Sequence, residues 1–183
     1  MMNINKKNIL TYADAYDNQY RGTDGEKVEI KMKCLLKKQR FLKQKELVEI
    51  GMWKSRRPKK HYESVENDDM TVREITKFSF NAKSEKARVK SLLALKGASW
   101  PVASAILHFA FPNMYPIMDF RVLGSLWGMK KPIHYDFILW ERYCNKVRDY
   151  AEKYSLPIRT VEKALWKYDE LKLGKRKTCK QKE

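Results

Sequence analysis

Cysteine and histidine are scarce, three of each in 183 residues, and neither is clustered. Cys34, Cys144 and Cys179 lie too far apart for a disulfide framework, and no pair has metal-ligand spacing. His61, His108 and His134 are equally scattered. A structural zinc or iron–sulfur centre is therefore not expected. No apolar run approaches the roughly 18 residues needed to cross a membrane, and the mean hydropathy is -0.67. The opening stretch MMNINKKNILTYADAYDNQY has no apolar core of the secretory type, so no signal segment is expected. These absences point to the cytoplasm, or the nucleoid within it. No segment alternates apolar and polar residues convincingly, which removes the main signal for strands, and there is no internal repeat.

Acidic residues are also few beside the bases: 22 Asp and Glu against 39 Lys and Arg, a formal net charge of +17. The excess is uneven. Glu26 to Lys60 holds 13 Lys and Arg against 4 Asp and Glu. A concentrated basic face is the electrostatic footprint of a polyanion binder, with nucleic acid the leading partner. A solvated basic face, or attraction to an anionic membrane surface, is the alternative.

What is present reads as helix throughout. Val28, Met32, Leu35, Leu36 and Leu42 recur near helical spacing and predict an amphipathic helix over 26–42 with a lysine-rich outer face. Residues 44–54 give a second helix, broken at SRRPKK because Pro58 disfavours helix in the residue before it. A third runs over 68–81, with Asp68 or Asp69 as cap and a Thr71/Glu74 capping box one turn on. A fourth follows Ser84. A fifth spans Trp100 to Phe111, with Pro101 in its first turn, where its missing N–H costs nothing. A short helix from Asp119 to about Trp127, a long one over 135–154 and a last one over 158–171 complete the set. The tail LGKRKTCKQKE is expected to be basic and disordered. The fold class is all-α: one helical domain over 1–172 with seven or eight helices, divisible into two lobes with a cleft, the hairpin lobe covering about 66–128.

The stretch LLALKGASWPVASAILHFAFPNMYPIMDFRVLGSLW carries the chemistry. One helix ends at Leu95 or Lys96, Gly97 supplies the backbone freedom that ends it, and another helix begins within about three residues. Ala103 and Ala110 allow close packing. The N-terminus of the second helix offers free backbone N–H groups to an anion, which for a basic protein means a phosphate. An ordinary packing unit without a ligand explains the same pattern.

Leu95, Gly97, Ala98, the small Ala103 and the downstream Asp119 together resemble the helix-hairpin-helix and aspartate loop of the DNA glycosylase superfamily typified by endonuclease III. The strong part of the resemblance covers roughly a fifth of the chain. The wider chain, including WKSRRPKKHYE and RTVEKALWKY, also resembles an uncharacterised bacterial group with the same hairpin core. The resemblance implies DNA, as duplex, bound by a monomer. It implies Asp119 as the catalytic carboxylate, and a hairpin that grips phosphate through Lys96, Gly97, Ala98 and Ser99, with a monovalent cation there as the only candidate cofactor.

The sequence departs from that pattern in three places. Ser99 replaces the second hairpin glycine. Pro101 stands where bifunctional members carry their Schiff-base lysine. The four-cysteine iron–sulfur loop is missing. A glycosylase of this kind would be monofunctional, excising a damaged or modified base without cutting the strand.

Cleaving an N-glycosidic bond builds positive charge on the sugar, which a fixed carboxylate stabilises directly or by activating water. Asp119 equally suits an N-cap, and the two roles are compatible. Arg121 can hold a phosphate or pair with Asp119. Arg56, Arg57, Lys59 and Lys60 can grip phosphates without reading sequence. An extruded base needs aromatic walls, for which Trp100, Tyr115 and Trp53 are the candidates; Trp140 and Trp166 fit helix stripes and read as core. His108 reads as structural. The competing function is a non-catalytic helix-hairpin-helix DNA-binding module.

Overall fold

A computed structural model describes residues 4–56 and 58–180, with side chains described as far as 172. It is all-helical, with no strand among the described residues. Among the described residues ten α-helices follow in order: α1 Lys6–Tyr20, α2 Asp24–Lys38, α3 Gln44–Lys54, α4 Lys59–Tyr62, α5 Asp69–Asn81, α6 Glu85–Leu92, α7 Trp100–Ala110, α8 Phe120–Trp127, α9 Phe137–Tyr154 and α10 Ile158–Lys180. A 3-10 turn, Val65–Asn67, lies between α4 and α5. No described helix is long and apolar enough to cross a membrane.

The chain divides into two compact units. One joins Met1–Arg21 to Met118–Glu183, and the other is Gly22–Ile117. The second unit contains the whole hairpin but begins at 22 rather than 66 and ends before Asp119, which differs from the expected lobe of 66–128.

In Gly22–Ile117, α7 is the central helix. Every residue from Val102 to Ala110 is buried, so its apolar character all round reflects neighbours on several sides, including α2, α3 and α6. His108 is fully buried. Its Nδ1 lies 2.7 Å from the Tyr115 carbonyl, which can only accept, so Nδ1 carries the proton. This is the structural histidine that the sequence suggests. Helix α5 is capped by Asp68, whose carboxylate accepts from the Thr71 N–H at 2.7 Å; of the caps considered, this one forms.

Helix α2 stops at Lys38, short of the expected 42. Gln39 is extended, and Leu42 is buried outside any helix with its N–H bonded to the Thr76 hydroxyl at 2.9 Å. Leu42 fits helical spacing by coincidence, and its tertiary bond competes successfully with a further turn.

In the other unit, α10 packs along α1 and also meets α8 and α9. Val161, Ala164 and Leu165 of α10 are buried, as are Trp140, Tyr143, Cys144, Val147 and Ala151 of α9. The Ser125 hydroxyl on α8 donates to the Leu165 carbonyl at 2.5 Å, pinning the two helices. Helix α1 has no counterpart in the sequence reading. Its Tyr12, Tyr16 and Tyr20 meet Tyr168 and Trp166 edge-on, with ring centroids 5.4–5.8 Å apart. Helix α10 continues to Lys180, past the expected end near 171; side chains beyond 172 and the last residues of the expected tail, 181–183, lie outside the described residues.

Candidate functional site

The hairpin turn is built around Gly97. Its φ of 85° lies in the region that side-chain-bearing residues avoid. Its missing side chain is used as well: a Cβ there would sit 2.8 Å from His61 Cβ and 2.9 Å from the Tyr62 ring. The opposite side of that ring rests on Gly51, where a Cβ would stand 2.6 Å away. Tyr62 is thus inserted between two glycines, fully buried, with its hydroxyl donating to the Ser55 carbonyl at 3.3 Å. Burial raises the Tyr62 pKa, so the hydroxyl stays protonated.

Asn67 fastens the same turn to the same segment. It is 1% exposed. Its amide nitrogen donates to the carbonyls of Lys96 (2.9 Å), His61 (3.1 Å) and Tyr62 (3.2 Å), and its oxygen accepts from the Lys96 N–H at 2.9 Å. One amide side chain thereby binds both backbone polar groups of Lys96 in the hairpin and two carbonyls of α4. Lys59, Lys60 and His61, all exposed on that short helix, are held beside the hairpin. The α4 bases and the hairpin, more than thirty residues apart in sequence, are thereby joined within a single unit.

The individual candidates fall as follows. Arg56 and Lys60 are exposed and make no ion pair among the described residues. Lys59 pairs loosely with Glu63 at 3.6 Å. Lys96 is tied up twice, its backbone by Asn67 and its ammonium by Glu66. Ala98 donates its N–H to Leu95 at 2.9 Å within the turn. Ser99 is the exposed N-cap of α7 without a side-chain cap bond, followed by half-buried Trp100 at the helix start. Arg57 lies outside the described residues.

Two of the proposed base-pocket walls have structural work instead. Tyr115 is fully buried. Its hydroxyl accepts from Arg88 at 3.0 Å and donates to Glu85 at 3.1 Å. Burial, followed by the Glu85 charge, pushes its pKa up to about 12. Its carbonyl is tied to buried His108 of α7 at 2.7 Å, which holds this part of the loop in the interior. Trp53 donates its indole N–H to the Gly25 carbonyl at 2.8 Å and meets Phe109 edge-on at 5.2 Å. Trp100 is the remaining member of that set.

Asp119 belongs to the other unit, two residues past the boundary. It is the N-cap of α8, and its carboxylate accepts from the Arg121 N–H at 3.0 Å. The capping role is therefore real. The surroundings are rich in titratable groups. The Asp119 charge adds to burial in raising the pKa of Tyr135, and contributes, after burial and Glu162, to raising that of Tyr143.

Arg121 does not take Asp119 as its ion partner. Its guanidinium pairs with Asp169 of α10 at 3.5 Å and stands 5.0 Å from the Trp166 ring and 5.3 Å from Phe120. Asp169 is largely enclosed, and a Cβ on Gly124 would come within 2.9 Å of its Oδ1. Burial raises the Asp169 pKa against the pull of Arg121, with Asp119 adding to the rise. Sequence reasoning missed Asp169. Its local context, KYDELK, is that of a solvated helix face, and only the gap left by Gly124 reveals it. Trp166, read as core, is half-buried and faces Arg121.

Among the described residues no group of three or more His, Cys, Asp and Glu could hold a metal ion. No protein-family model, curated protein or solved structure matches this chain.

Proposed function

We propose that this is a DNA-binding protein that excises a damaged or modified base as a monofunctional DNA glycosylase. The observation that carries the DNA-binding part is the Asn67 junction, which places exposed Lys59 and Lys60 beside a glycine hairpin in one unit. Hairpin backbone and basic side chains on one face suit phosphates, which fix a protein on a duplex without reading its sequence. The excess of 39 basic over 22 acidic residues supplies the long-range attraction.

For the chemistry, Asp119 is the working carboxylate. Its cap bond orients it, and a carboxylate so fixed stabilises the positive charge that develops on the sugar as the base departs. Water completes the reaction at the anomeric carbon, and the leaving base takes a proton, so the product is an intact strand with an abasic site. Pro101, at the position of the lyase lysine in the family this chain resembles, offers no amine for strand cleavage.

A non-catalytic DNA-binding module is the second reading. It is favoured by the same cap bond, which gives Asp119 a sufficient structural reason to be there.

Both readings require the basic face. Arg56→Ala and Lys60→Ala should each weaken duplex binding across sequences and reduce the slope of log affinity against log salt by about one. A slope unchanged in both variants would remove these residues from the interface. The two readings part on catalysis: base excision that is lost in Asp119→Asn with DNA binding retained supports the first.

A further inference from the structure

Arg121 presents a problem for any carboxylate chemistry at Asp119. Its backbone N–H holds the carboxylate at 3.0 Å, so its side chain starts from the same turn of helix. A guanidinium that folded back would form a salt bridge and neutralise the charge the reaction uses. The structure directs it elsewhere. Asp169 reaches from α10 to take the guanidinium at 3.5 Å, and Trp166 and Phe120 present their rings to it. Asp169 lies against bare Gly124, where a Cβ would stand 2.9 Å from its Oδ1 and oblige the carboxylate to shift.

We propose that Asp169 is a positioning residue for Asp119: it holds the Arg121 guanidinium in its own ion pair, so that this cation does not become the salt-bridge partner of the working carboxylate. The inference rests on the reading of Asp119 given above. Among the described residues, the groups around Asp119 include Arg121 on its own helix, Tyr135 before α9, Tyr143 on α9 and Asp169 on α10; Lys172 acts on Asp169 in turn, and Lys131 stands 3.6 Å from the ring of Phe120, the residue next to Asp119. Of these, Arg121 is the cation whose side chain begins within two residues of Asp119, and Asp169 is the carboxylate that takes it.

The test is the titration of Asp119 followed by carboxyl-carbon NMR in the full chain. The variants are Asp169→Asn and Gly124→Ala, each with and without Arg121→Gln. Gly124→Ala displaces the Asp169 carboxylate without removing its charge, and it stands in if Asp169→Asn folds poorly. With Asp169 lost or displaced, Arg121 turns to Asp119, and the Asp119 pKa falls by about one unit, a tenfold gain in acidity. In the Arg121→Gln background the same changes shift it much less. A shift of equal size with and without Arg121, or no shift, overturns the proposal. A purely structural Asp169 would lower stability without any dependence on Arg121.

Single-turnover excision supplies the second readout. It should fall about tenfold in Asp169→Asn, in proportion to the shift, and recover when Arg121→Gln is added. A loss that the second substitution does not relieve contradicts the proposal. If the unaltered protein excises no base, the glycosylase reading fails, and the titration still decides the role of Asp169.

Discussion

Replacing Gly97 by alanine tests how the hairpin is built, and its cost can be worked from two separate terms. The first is conformational. At φ 85° an L-residue pays on the order of 1–2 kcal/mol over glycine. The second is steric. The new Cβ would stand 2.8 Å from His61 Cβ and 2.9 Å from the Tyr62 ring. Tyr62 cannot retreat, because Gly51 closes the other side at 2.6 Å from a notional Cβ. Overpacking of this kind costs about 1–3 kcal/mol. The sum is about 2–5 kcal/mol, a large part of the stability of a domain this size.

Gly22 provides the control in the same unit. Its φ is 74°, but nothing lies within 4 Å of its notional Cβ, so Gly22→Ala should cost only the first term, about 1–2 kcal/mol. Urea unfolding followed by far-UV circular dichroism measures both. The difference between the variants, about 2 kcal/mol, isolates the Tyr62 contact. Equal costs would refute the packing account of the hairpin and return Gly97 to a purely local role.

Two further outcomes follow from the same geometry. Asn67→Ala strands the Lys96 N–H and three carbonyls in a buried setting; it should cost about 2–4 kcal/mol in urea unfolding, and duplex binding should weaken in parallel as α4 and the hairpin part company. For Asp169, burial raises the folded-state pKa above the ordinary carboxylate value, so the folded form binds the proton more tightly than the unfolded chain. Its contribution to stability is then greatest below the ordinary value and declines as pH rises through the raised one. A urea series from pH 3 upward should show this decline relative to Asp169→Asn; an opposite slope would mean that Arg121, not burial, controls the site.

Much of the fold is written in local sequence. Helices α3, α5 and α7 to α9 lie within a residue or two of the predicted spans because their caps and apolar spacing agree, whereas α6 ends at Leu92, short of the expected Leu95 or Lys96, and leaves the chain to reach Gly97 through turns. Asp68, Ser84, Asp119 and Asp136 each cap the helix that follows them. Helix α1 was illegible because only Ile9 and Ala13 are buried on it; its real signal is the fourfold spacing of Tyr12, Tyr16 and Tyr20, which becomes meaningful only against Trp166 and Tyr168. The candidate site was legible in its hairpin glycine and its capping aspartate, both local features. Asn67 and Asp169 were not, since each looks like a solvated polar residue until a distant glycine or peptide unit is brought to it. Tyr115 illustrates the reverse: proximity in sequence to the aspartate suggested a pocket wall, while its contacts with Glu85 and Arg88, about thirty residues away, hold it in the interior.

The claim that Asp119 works on a sugar is tested most directly by an abasic-site assay. Duplexes carrying alkylated, oxidised, deaminated and hydroxymethylated bases are incubated with the protein and divided into alkali-treated and untreated halves. The account predicts nicking that needs alkali, on at least one lesion, and that disappears in Asp119→Asn. That variant should remain folded, with stability within about 0.5 kcal/mol, since asparagine caps a helix nearly as well as aspartate. Excision that survives in folded Asp119→Asn contradicts the account, as does nicking without alkali, which requires an amine nucleophile. Retained binding with no product from any lesion favours the non-catalytic module.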